Sequence, residues 1–192
     1  MNKKEITTKA FKDSLPVMMG YLTMGFAAGV LLAVKVGLPC SPVWGFVMAL
    51  SIISGTMQFA IVQPLADCAS IGTVALMTLL INFRYVFYGF TMLERWRGVP
   101  ILHKLLLIGA LADETYALQA ACKLKHRKEN LLYCSLVALF DTSYWTIGVT
   151  SGAALGSAFS FPAKGIEFTM AALFLVILTD QVHDMVKARR TK

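Results

Sequence analysis

The stretch VALMTLLI at residues 74–81 decides the fold class: it holds one polar side chain, Thr78, and shows no alternation of apolar and polar positions. A strand of a membrane barrel alternates with a period of two, so this run reads as helix. Extended outward, it belongs to an apolar segment at 69–93, and similar segments lie at 15–36, 43–65, 101–122, 131–158 and 164–186. Each reaches the roughly 20 residues that a helix needs to cross a bilayer. Together they cover about three quarters of the 192 residues, and the gaps between them are too short for a soluble domain. The expected architecture is an all-α polytopic membrane protein with six hydrophobic segments.

Composition agrees. The chain is 57% hydrophobic and 15% charged, with a mean hydropathy of +0.64, whereas soluble domains carry about a quarter charged residues. That much apolar surface has no place in a soluble enzyme, a nucleic-acid module or a disordered chain. One integral membrane domain over 1–192 is expected, with a basic cytoplasmic segment at 1–14, membrane segments over 15–186 and a basic cytoplasmic tail at 187–192. The first segment is too long for a cleaved signal and carries Pro16, Gly20, Gly25 and Gly29, read as a helix-packing pattern. Cys40, Cys68, Cys122 and Cys134 form no CxxC pair and are read as packing residues.

The net charge of +7 has a positional explanation. Lys3, Lys4, Lys9 and Lys12 precede the first segment, and Arg95 and Arg97 follow the third. Lys123, Lys125, Arg127 and Lys128 follow the fourth, and Lys187, Arg189, Arg190 and Lys192 end the chain. The gaps 37–42 and 159–163 contain neither Lys nor Arg. This is membrane-flank usage, it places both termini in the cytoplasm, and it leaves no role for nucleic acid. If all six segments cross, however, the loop 94–104 with Arg95, Arg97 and Lys104 falls outside. The rule is restored if one of segments two and three, and also segment four, enters and returns. SGT at 54–56 and DET at 113–115 are the places where such helices would break, as discontinuous helices of transporters do around polar cavities. Segments three and six both end in polar clusters, which suggests a 3+3 inverted repeat.

Ionisable groups inside a bilayer cost about 2.5–3.5 kcal/mol each on insertion scales, so each needs a partner and marks a candidate site. Here they are Arg84, Asp113, Glu114 and Asp141. Arg84 would either neutralise an acid to hold the bundle together or meet a substrate. Asp113 and Glu114 are adjacent acids that do not readily both stay ionised in a low dielectric, which suits proton coupling or an ammonium group. Helical spacing puts Ser51, Ser54, Gly55 and Gln58 on one uncharged polar face, Asn82, Tyr85 and Gly89 on another, and Arg84 one turn from Tyr88. Asp141, Trp145, Gly148 and Gly152 share a face of segment five, whose glycines read as packing. Asp180, His183 and Asp184 close segment six and read as solvated interfacial groups. Neither HExxH, GxSxG nor a phosphate loop is present, so no enzyme activity, metal site or cofactor is expected.

The remaining chemistry fits a small zwitterion. Arg84 and the helix start at Gly55 suit a carboxylate, Asp113 or Glu114 an ammonium, and Met57, Phe59 and Phe83 an apolar side chain. A passive channel or a carrier of another small solute is the alternative.

At these motifs the chain resembles the AzlC family, the large subunit of bacterial branched-chain amino-acid exporters. The matching pieces are LPVMMGYLTMGFAAG at 15–29, SGTMQF at 54–59, NFRYVFYG at 82–89, LADETYAL at 111–118 and GIEF at 165–168, in the family's order. Where Glu167 stands, the family more often has Asp, and its members often run longer at the C-terminus. The resemblance implies a multi-pass protein of the bacterial inner membrane that exports leucine, isoleucine, valine or methionine, coupled to protons. It also implies a small AzlD-like membrane subunit as partner. The candidate substrate-binding residues are Ser54, Gly55, Gln58, Phe59, Asn82, Arg84 and Tyr88, with Asp113, Glu114 and Asp141 for proton coupling or ammonium binding.

Overall fold

A computed structural model describes residues 2–122, 124, 126–159, 168, 172, 175 and 179. Most of segment six, Glu167 of the GIEF element, and Asp180, His183 and Asp184 lie outside the described residues. Among the described residues all regular structure is helical: α1 (Lys3–Val36), α2 (Ser41–Ser51), α3 (Gly55–Ala66), α4 (Ile71–Asn82), α5 (Arg84–Leu93), α6 (Ile101–Gly109), α7 (Asp113–Ala121) and α8 (Arg127–Ala158). Apolar segments one and five are single helices, while segments two, three and four are each divided.

The divisions have local causes. After Ser51 the backbone is extended at Ile52 and Ser54, and the Ser54 hydroxyl accepts the Met57 N–H at 3.2 Å to start α3. Segment four breaks over Ala110–Ala112, just before DET, and segment three bends by 48° at Phe83. The first two breaks stand where SGT and DET suggested, whereas nothing in NFR announced the bend. They also correct two expected faces. Ser51 belongs to α2 and Gln58 to α3, so they share no helix face. Gln58 instead donates from Nε2 to the carbonyls of Met48 (3.3 Å) and Ile52 at the end of α2, where the Met48 carbonyl also accepts the Ile52 N–H at 2.8 Å. Asn82 ends α4, so it shares no face with Tyr85 and Gly89 of α5.

α1 and α8 form the frame. Phe11 meets Phe140, Tyr21 meets Trp145 with ring centroids 5.4 Å apart, and Gly156 lies against Val30 and Ala33. Residue numbers climb together along the contact, so the two helices run parallel. Their seam is backbone on backbone: a Cβ at Gly29 would overlap the Val149 carbonyl oxygen, and one at Gly152 the Phe26 carbonyl oxygen. Gly25 and Gly148 face each other in the same seam, but Gly20 has nothing within 4 Å of where a Cβ would stand. The packing pattern therefore comprises Gly25 and Gly29 without Gly20. α1 ends at Gly37, whose left-handed φ of 61° turns the chain while its N–H bonds Ala33.

Two of the divided segments, two and four, return to the end they came from. Gly45 of α2 sits by Ala153 and Gly55 of α3 by Trp145, so α2 runs antiparallel to α8, from the far end towards the middle. Met57 and Ile61 of α3 share a cavity wall with Asn82 and Thr78 of α4, a pairing that brings α3 back beside α4. The bent pair α4–α5 then runs to the basic end, where Arg95 donates to the carbonyls of Gln119 and of Cys122 (2.6 Å for the latter). α6 and α7 make the second hairpin. His103 near its start pairs with Ser135 at 2.9 Å, and Gln119 near its finish donates to the Cys134 carbonyl at 3.2 Å, so it enters and leaves beside one turn of α8. Lys9, Arg95 and Arg127 consequently lie at the same end of the molecule.

This arrangement differs from six straight crossings. By length and composition α1 can cross a membrane unbroken, and α4 with α5 makes a second, bent candidate. A 3+3 match would pair segment one with four and segment two with five. In each of these pairs one member is an unbroken helix and the other a hairpin, while the third pair includes segment six, most of which lies outside the described residues.

Candidate functional site

Both hairpin breaks and the bend of segment three meet beside the middle of the α1–α8 frame, and there they enclose a cavity of about 120 Å³. Its walls come from Tyr21 and Met24 of α1, Ile53 and Gly55 at the first break, Arg84 and Tyr85 after the bend, Ala112–Thr115 at the second break, and Asp141 and Trp145 of α8. The starts of α3 and α7 both face it. Their first N–H groups have no partner within the helix, so each start adds partial positive charge.

The ionisable residues are tied together across elements. Arg84 donates from Nη2 to Asp113 Oδ2 at 2.9 Å and to the Thr56 hydroxyl at 3.2 Å, and its guanidinium lies over the Tyr85 ring. Tyr88 donates to the other oxygen of Asp113 at 3.0 Å and stacks on Tyr116, with centroids 4.3 Å apart. Glu114 accepts from Tyr21 at 2.7 Å, and Asp141 Oδ2 accepts from Thr115 at 2.7 Å. The N-terminus of α7 is thus joined to α1, α5 and α8 by three successive residues. Arg84 and Asp113 are each more than a third exposed, so this pair holds position more than it adds stability.

Several expected residues lie elsewhere. Gly55, Arg84, Asp113, Glu114 and Asp141 line the cavity, and Tyr88 reaches it through Asp113. Ser54 caps α3 and, with Asn82 and Met57, lines a separate cavity of about 390 Å³ on the other side of Tyr85. Gln58 is fully buried against the end of α2, and Phe59 packs in the main core with Leu31, Leu32 and Val149. Phe83 points outward, 53% exposed. These displacements follow from the helix breaks, which reset the faces that an unbroken helix would present. Tyr21, Thr115 and Trp145 join the site without having been singled out for it. Tyr21 lies one turn before Gly25, and its only signal in the sequence was a hydroxyl on the face that packs against α8.

Comparison with known proteins adds identity to this geometry. The family model described as AzlC protein matches residues 16–159. A Bacillus subtilis protein named branched-chain amino acid transport protein AzlC is 29% identical over 94% of this chain and 71% of its own length. An uncharacterized membrane protein of Helicobacter pylori is 35% identical over 90% of this chain and 76% of its own. The inner membrane protein YgaZ of Escherichia coli is 31% identical over 87% of this chain and 69% of its own. No solved structure matches.

Proposed function

We propose, from the premise that this chain belongs to the AzlC family, that it is the large subunit of a two-component exporter of leucine, isoleucine, valine and methionine. The observation that carries this reading is the convergence of two helix starts, one arginine and three carboxylates on a single partly open cavity between broken hairpins. Transporters place substrate sites at such breaks, with half-helix N-termini turned towards anionic groups. Arg84 and the start of α3 at Gly55 are suited to the carboxylate. Asp113, Glu114 and Asp141 are suited to the ammonium group or to the proton that drives export. Met24 and Ile53 supply apolar wall for the side chain.

Topology supports the same reading. With the basic end in the cytoplasm, α1, α4–α5 and α8 cross, the α2–α3 hairpin dips in from outside and the α6–α7 hairpin from inside. The loop carrying Arg95 and Arg97 then lies in the cytoplasm, as the positive-inside rule requires. Both termini are taken to lie in the cytoplasm of a bacterial cell, as the flanking lysines and arginines of the sequence require. Ser54 and Asn82, with Met57, line the way past Tyr85 instead of the cavity itself, while Gln58 and Phe59 fix the shape of the first break.

The test is leucine accumulation in cells fed a leucine dipeptide while expressing the chain with a small AzlD-like membrane subunit. Intracellular leucine should fall severalfold relative to cells lacking both proteins. Unchanged leucine, with both proteins present in the membrane, would refute export. A fall that persists after the proton gradient is collapsed would refute proton coupling alone.

A further inference from the structure

The polar groups that have no partner are more informative than those that do. Asp113 and Glu114 are engaged by Arg84, Tyr88 and Tyr21. Three residues lining the cavity nevertheless carry buried polar atoms with no hydrogen-bond partner: Asp141 Oδ1, Trp145 Nε1 and Arg84 Nε. Asp141 and Trp145 are more than nine-tenths buried, at 1% and 5% exposure, and stand one turn apart on α8. A buried polar atom left unsatisfied costs free energy, and such atoms in a native fold call for an occupant. Here the inventory is two N–H donors and one carboxylate oxygen. An α-amino acid presents the complement, a carboxylate with two acceptor oxygens and an ammonium donor.

The indole is held in place for this. Its edge-to-face contact with Tyr21 fixes one side, and the other side lies against Gly55, where a Cβ would come within 2.8 Å of the ring. Glycine at the start of α3 thus lets the indole reach the same helix N-terminus that favours an anion. Thr115 orients Asp141 by occupying only its Oδ2.

Resting on the reading of this cavity as an amino-acid site, we infer that α8 supplies the recognition of the amino-acid head group. Trp145 Nε1 and Arg84 Nε donate to the substrate carboxylate, and Asp141 Oδ1 accepts from its ammonium. Asp113 and Glu114 position α7 and Arg84 and do not hold the ammonium. The substrate side chain then points towards Met24 and Ile53, which offer no polar partner.

The test uses the purified full-length chain with its small membrane subunit in detergent, and measures binding of three probes by calorimetry. These are leucine, its decarboxylated amine 3-methylbutylamine, and the keto acid 4-methyl-2-oxopentanoate. Trp145→Phe keeps an aromatic ring, smaller than the indole, and removes the donor. It should weaken leucine and keto-acid binding about tenfold, in line with loss of one hydrogen bond to a charged group, and leave the amine unaffected. Asp141→Asn should weaken leucine and the amine about tenfold or more and spare the keto acid. If the wild type binds leucine and Trp145→Phe binds all three probes equally well, the head-group assignment is overturned and the transport reading stands. If the wild type binds no hydrophobic amino acid, both fall. Should Asp141→Asn fail to fold, Trp145→Phe and Thr115→Val decide the matter, the latter expected to weaken the amine severalfold and not the keto acid.

Discussion

The α1–α8 seam and the hairpin breaks lie side by side and solve opposite problems. Along the seam two helices need no side-chain chemistry, only its removal, and glycine lets their backbones touch. At the breaks the backbone is interrupted, α7 starts without a side-chain cap, and side chains from five helices converge to satisfy one another. The seam has one tight arrangement. The breaks are held by side-chain hydrogen bonds and an ion pair between helices, each made by one or two polar atoms. A rigid pair of helices thus carries a site assembled from the least regular parts of the chain.

The contrast breaks most easily at the seam. Gly29→Leu places a side chain where the Val149 carbonyl stands, and neither backbone can give way without parting the helices. Overpacking in a core costs about 1–3 kcal/mol, and a clash with backbone more. The variant should be absent from the membrane or migrate as an aggregate in detergent, as size-exclusion profiles would show. Gly20→Ala on the same helix has open space around it. It should be tolerated, and slightly stabilising, because alanine favours helix over glycine by about 1 kcal/mol. Equal behaviour of the two variants would mean that the seam is not what holds α1 to α8.

At the breaks the expected effect is on transport and not on assembly. Arg84→Ala removes the partner of Asp113 and the donor to Thr56, and should lower leucine export by roughly tenfold to a hundredfold, the scale of a lost charge-assisted hydrogen bond. Membrane insertion and the size-exclusion profile should be unchanged, since the pair is more than a third exposed. Arg84→Lys should recover little, because a single ammonium cannot reproduce the planar fork. Full export by Arg84→Ala would remove the breaks from the functional site.

The seam and the breaks were unequally legible in the sequence. Helical class, the six apolar segments and the seam glycines follow from local patterns, since spacing alone brings Gly25 and Gly29, or Gly148 and Gly152, onto one face. The pairing of an intramembrane arginine with an acid was also expected, because an uncompensated charge there is costly. What stayed hidden was everything decided by the breaks. Helical spacing puts Ser51 on one face with Ser54, Gly55 and Gln58, a grouping that holds only if α2 continues into α3, and the chain turns at Ile52 instead. Spacing puts Trp145 on one face with Asp141 but gives the indole no role. Its vacant Nε1 becomes visible only when Gly55, 90 positions away in sequence, is known to stand against the ring.

The smallest effect sharpens the comparison from within the frame itself. At its basic end, beyond the glycines, α1 is also tied to α8 by side chains: Tyr133 donates to Asp13 Oδ2 at 2.8 Å, and Lys9 pairs with the same oxygen at 2.8 Å. Tyr133→Phe removes one of these two contacts and keeps the ring packed with Ile6, Ala10 and Val137. Asp13 retains Lys9, and both side chains have access to water, so no buried charge is stranded. The expected loss is about 1 kcal/mol, typical of a single hydrogen bond, measured as a lower midpoint in denaturant with leucine export unchanged. A loss as large as that of Gly29→Leu would show that the frame is fastened at its polar end and that the glycines only permit the approach. A small loss assigns the fastening to the seam.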